Sequence, residues 1–77
     1  MNALAWELKS PLGKSKRTIR DKLSIAKTQS PNIIIDSRRT SLSDMEIEAD
    51  LRRQIILKKS IYRLILITKD EKVLVIK

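Results

Sequence analysis

The chain has 77 residues, 42% of them hydrophobic and 34% charged, so it is a folding chain with room for one small domain of one sheet and two helices. Lysine and arginine outnumber aspartate and glutamate 17 to 9, a net charge of +8, which points to a polyanion: a phosphate backbone first, an anionic membrane surface second. With no cysteine and no histidine, disulfides, thiolate chemistry, the usual zinc ligand and the usual neutral-pH base are excluded, and any catalysis rests on carboxylates, Lys, Arg, hydroxyls or Tyr62.

Charge is uneven: residues 1–40 hold nine basic and three acidic side chains, residues 41–77 eight and six. The anion-facing surface is therefore expected in the N-terminal half. No apolar run approaches the ~20 residues of a membrane span, and the N-terminus is not arranged as a signal peptide. A cytoplasmic chain with no membrane partner is the expectation. A sheet this small, with exposed edges, also makes a homodimer an expected state.

In chain order, residues 3–9 alternate as a strand, with Leu4, Trp6 and Leu8 on one face and Ala5, Glu7 and Lys9 on the other. Ser10-Pro11-Leu12-Gly13 ends it. A helix is predicted from about Ser15 to Thr28, capped by Ser15, with Ile19, Leu23 and Ala26 recurring at i, i+4 and i+7. Pro31 and Asn32 close that helix, and Ile33-Ile34-Ile35 reads as a strand covered on both faces, delivering Asp36 at its carboxyl end. Ser43-Asp44-Met45-Glu46 matches the S-x-x-E capping box before a helix of about 44–59, with Ile47, Leu51 and Ile55 as its buried stripe. Residues 61–68 and 73–76 read as a hairpin whose Ile and Val belong to the core. The order β-α-β-α-β-β predicts an α/β (α+β) domain, one mixed sheet packed against two helices.

Three constellations bear on function. Glu7-x-Lys9 puts a carboxylate and an ammonium on one strand face about 7 Å apart, a pairing suited to phosphodiester cleavage and equally to an ordinary solvent-facing ion pair. Asp36 stands where open α/β sheets gather ligands; with a parallel β-α-β unit it would join Glu7 as a two-carboxylate site for a divalent metal. As a loop-starting Asp it would instead cap nearby backbone amides. The basic set Lys14, Lys16, Arg17, Arg20, Lys22 and Lys27, continued by Arg38 and Arg39, is suited to gripping phosphates. Base stacking is poorly provided for, because Trp6 and Tyr62 are the only aromatics and Trp6 is expected in the core.

Taken together, Trp6-Glu7-Leu8-Lys9-Ser10-Pro11, Ser15-Lys16-Arg17-Thr18-Ile19, Ala26-Lys27-Thr28-Gln29-Ser30, Ile33-Ile34-Ile35-Asp36-Ser37-Arg38-Arg39 and the closing strand from Leu64 to Asp70 form a pattern. It resembles the C-terminal tRNA-nuclease domain of CdiA-type contact-dependent inhibition toxins, and related nuclease domains of phage and mobile elements. The resemblance implies a restriction-endonuclease-like core with Glu7 and Lys9 in the family's E-x-K positions. It further implies a toxin that cleaves RNA, tRNA first, by metal-assisted hydrolysis with Mg, Mn or Zn, and an acidic immunity protein as partner. Such nucleases also place an Asp on a strand upstream of the Glu. Only six residues precede Glu7, so the expectation is an N-terminally shortened domain, inactive unless Asp36 substitutes. A non-catalytic nucleic-acid-binding module with the same basic surface is the alternative.

Overall fold

Each element forms where local sequence and long-range burial agree. The order is β1 (Glu7–Lys9), α1 (Lys16–Gln29), β2 (Asn32–Asp36), α2 (Asp44–Leu57), β3 (Arg63–Ile67) and β4 (Val73–Val75), in a computed structural model that describes residues 5–13 and 16–77. The predicted α+β architecture, one mixed sheet and two helices, is what forms. Leu4 and the predicted cap Ser15 lie outside the described residues, as does Lys14.

The predicted stripe of α1 is the buried one: Ile19, Leu23 and Ala26 are fully buried. The helix closes with Ser30 N donating to Ala26 O at 3.0 Å, just before Pro31, which has no N–H to continue it. At the start of α2, Ser43 is extended and its side chain accepts from Glu46 N at 3.2 Å. Asp44 and Glu46 in the first turn complement the positive end of the helix dipole. The buried stripe of α2 is rotated from the predicted one. Ile47 and Leu51 point inward as expected, but Asp50 and Gln54 are buried and Ile55 is only partly so.

The sheet runs β1-β2-β3-β4. β1 and β3 each lie parallel to β2, and β4 is antiparallel to β3. Cα partners place Ile33 beside Leu64 and Ile35 beside Leu66, and all four are fully buried. Strand alternation therefore turns this set to the helices. Both crossovers advance the same way across the sheet, and crossovers of one hand then place both helices on one side.

Among the described residues the opposite face has no second layer. β2 is therefore covered on one face and not, as its apolar run predicted, on both, and Ile34 is only partly buried. Leu8 and Val75 on that face are 56% and 68% exposed. Two further expectations are corrected here. Trp6 is not a core residue but 37% exposed, against the uncovered face beside Ile65 and Val75. The hairpin is only half core: Ile76 is buried and Leu74 packs against the core, whereas Val73 and Val75 are exposed, because a strand covered on one side alternates in and out.

The hairpin turns without glycine. Thr68 N donates to Lys72 O at 2.9 Å and Glu71 N to Thr68 O at 3.0 Å. Glu71 takes φ 64°, the left-handed position usually filled by Gly.

Candidate nucleic-acid interface

β1 is an edge strand, and its three residues split between the two faces. Glu7 pairs in register with Ile33 and Lys9 with Ile35, so both charged side chains point to the helix-covered side, while Leu8 points to the bare side. Being at the edge, the pair stays partly open, Lys9 at 21% and Glu7 at 30% exposure, with Nζ 3.6 Å from Oε2.

Both flanks of the strand are fixed by the rest of the fold. Ala5 O accepts from Ser30 Oγ at 2.7 Å and from Asn32 Nδ2 at 3.0 Å, tying the entry to β2. Beyond Lys9, Pro11 is fully buried, and Gly13 O accepts from Thr40 Oγ1. Gly13 lies so close to Thr18 that a Cβ would come within 2.1 Å of Thr18 Oγ1, a close approach that requires glycine. Held this way, the ammonium can stabilise charge on a phosphoryl oxygen, and the carboxylate can accept a proton or a cation.

Asp36 is not brought to Glu7. The strands are parallel neighbours, as the metal-site expectation requires. However, Glu7 sits level with Ile33, and Asp36, three residues further along, points to the opposite face. Its carboxylate is engaged locally: Oδ1 accepts from Arg38 N and Nε, each at 3.0 Å, and Oδ2 from Nη2 at 2.8 Å and Nε at 3.2 Å. The hydrogen bonds from the Arg38 side chain hold the Asp36 pKa below the usual carboxylate value, and that carboxylate raises the Arg38 pKa in return. Arg38 also donates to Glu71 Oε1 at 3.2 Å. The predicted second ligand and one predicted phosphate contact thus bind each other, the capping role weighed for Asp36 from sequence. Among the described residues no three acidic side chains gather as a metal-ligand set, and Glu7 alone holds a divalent ion poorly. The residues present do not fit a two-carboxylate metal centre.

The basic set divides. Arg17 and Arg20, on α1, meet Arg53, Asp50 and Gln54 of α2 in a groove of about 290 Å³. Lys27 belongs to the same surface: with Arg20 it lowers the pKa of Lys58, after the larger effect of burial. Lys22 and Arg39 are exposed; Lys14 and the side chain of Lys16 lie outside the described residues. Arg53 and Lys58 were missed from sequence. The available signal was Asp50, Arg53 and Gln54 at i, i+3 and i+4, beside the buried Ile47 and Leu51 on one helix.

The bare face carries a second concavity, about 570 Å³, lined by Trp6, Tyr62, Arg63, Ile65, Val75 and Lys77. No described helix is long and apolar enough to cross a membrane.

Comparison with known proteins bears on this arrangement. Residues 1–73 match the family model of the contact-dependent growth inhibition CdiA C-terminal domain. Among solved structures, the CdiA-CT/CdiI toxin and immunity complex from Burkholderia pseudomallei aligns with a TM-score of 0.75 at 24% identity. The alignment covers 95% of this chain and 55% of that one, so the chain spans little more than half its structural neighbour. No curated protein matches it.

Proposed function

The chain belongs to the contact-dependent growth inhibition CdiA C-terminal domain family, a family of toxin domains, and from that premise we propose that it acts on RNA of the transfer-RNA class as a toxin-type nuclease. One observation carries the reading: a half-buried carboxylate–ammonium pair at 3.6 Å on an edge strand, on the side of the sheet that also bears the arginine-lined helix surface. Glu7 would take up the proton of the attacking hydroxyl as its oxygen bonds to phosphorus, and Lys9 would meet the charge that develops on a phosphoryl oxygen. The bond from phosphorus to the 5′ oxygen would break, that oxygen leaving with a proton from water. Because the residues present do not complete a metal centre, no step is routed through a divalent ion. Arg17 and Arg20 would hold the backbone on the helix side, with Lys14, Lys16, Lys27 and Arg39 extending the grip. An acidic immunity-type protein is the expected protein ligand on the same charge argument.

The test is to incubate the purified chain with tRNA and with duplex DNA, each with Mg²⁺, Mn²⁺ or Zn²⁺ and each with EDTA. The reading expects tRNA to be cut and DNA spared. Salt-sensitive tRNA binding without product under every condition would replace it with the non-catalytic binding module.

A further inference from the structure

We propose that the groove between α1 and α2 is a phosphate subsite for an RNA backbone, in which Arg17, Arg20 and Arg53 donate to one phosphate group while Asp50 positions Arg53. This rests on the RNA reading above and adds to it a defined site, reaching into a helix outside the N-terminal half to which sequence assigned the anion-binding surface.

Three arginines line a groove of about 290 Å³ whose floor is polar, Asp50 and Gln54, although both floor residues lie on the buried stripe of α2. A helix packed only for stability would place apolar residues there. Arg53 Nη2 donates to Asp50 Oδ1 at 2.9 Å, with Asp50 buried and Arg53 60% exposed. The carboxylate thus orients the guanidinium through one bond and leaves its other N–H groups to the groove. The second carboxylate oxygen, Oδ2, is fully shielded and has no donor among the described residues, so the buried Asp50 depends on Arg53 for its pairing. The guanidinium of Arg20 has no ion-pair or hydrogen-bond partner among the described residues. Lys27 and Lys58 add like charge close by, enough that Lys27 and Arg20 help to lower the Lys58 pKa. Such crowding is unfavourable in the free protein and is relieved when an anion enters.

Adjacent residues of α2 supply the control. Arg52 has the same charge, but its Nη2 pairs with Glu48 at 3.0 Å and it does not line the groove. Binding of a short single-stranded RNA to the full chain is measured over a range of salt for wild type, Arg53→Ala, Arg20→Ala and Arg52→Ala, with thermal melts of each. The proposal expects Arg53→Ala and Arg20→Ala each to weaken binding about tenfold and to reduce the slope of log K against log salt by about one, with Arg52→Ala close to wild type. Equal losses in Arg52→Ala and Arg53→Ala, or no loss in Arg53→Ala while wild type binds, would overturn the groove and leave the RNA reading standing. No binding by wild type would remove the RNA reading itself.

Discussion

The two faces of the sheet are built from almost the same residue types and do opposite things. On the covered face, Ile33, Ile35, Leu64 and Leu66 are fully buried under two helices, and the only charged strand residues on that side among the described residues, Glu7 and Lys9, sit at its outer edge. On the bare face, Leu8, Val73 and Val75 are more than half exposed. Apolar character therefore does not mark the core in this chain; coverage does, and coverage follows from the strand order that sends both helices to one side. A polar pair retained on the side that folding depends on, with leucine turned outward between them, is the reverse of what stability alone would select.

The comparison sets the size of several effects. The largest belongs to the covered face: Leu64→Ala or Ile33→Ala should cost about 2–5 kcal/mol, read as a shifted urea midpoint, enough to unfold a domain this small. If either cost no more than a bare-face substitution, the assignment of faces would be wrong. Next comes Ser43→Ala, which removes the acceptor for Glu46 N and should lower stability by about 1 kcal/mol.

Asp36 gives a pH dependence. Its folded pKa is lowered below 3.8, chiefly by hydrogen bonds from Arg38. Its contribution is therefore fully present above pH 3.8 and lost as pH falls through the folded value. Urea midpoints measured downward from about pH 5 should drop for wild type and drop less for Asp36→Asn; parallel profiles would dismiss the Arg38 pairing. The smallest effects belong to the bare face, where Val75→Thr and Leu8→Ser should change stability by no more than about 0.5 kcal/mol. A large loss there would mean that this face is covered in solution, as the expected homodimer would cover it.

Local signals carried much of the fold. Ile19, Leu23 and Ala26 at helical spacing, the S-x-x-E box at Ser43 and the Ile33-Ile34-Ile35 run each specify their element through contacts a few residues apart, and each stands where expected. The alternation of β1 was legible as well, including the pairing of Glu7 with Lys9 on one face. Which face would meet the helices was not, because that depends on the register of β1 with β2, some 26 residues away in the chain. Trp6 was misplaced for this reason: its size favours burial, but among the described residues no layer covers its side of the sheet. The separation of Asp36 from Glu7 has the same origin, since parallel pairing alone does not bring two side chains to one face. Arg53 was legible only in part: its spacing with Asp50 and Gln54 was a signal, but its place beside Arg17 and Arg20 depends on α2 lying against α1, which periodicity within one helix does not fix.

The account is tested most directly by three single substitutions in β1, Glu7→Gln, Leu8→Ser and Lys9→Ala, compared with wild type for the rate of tRNA cleavage. It predicts that Glu7→Gln and Lys9→Ala each lose about a hundredfold or more, while Leu8→Ser, one residue away on the opposite face, stays within about twofold. Cleavage undiminished in both charge variants, or lost equally in Leu8→Ser, would contradict it.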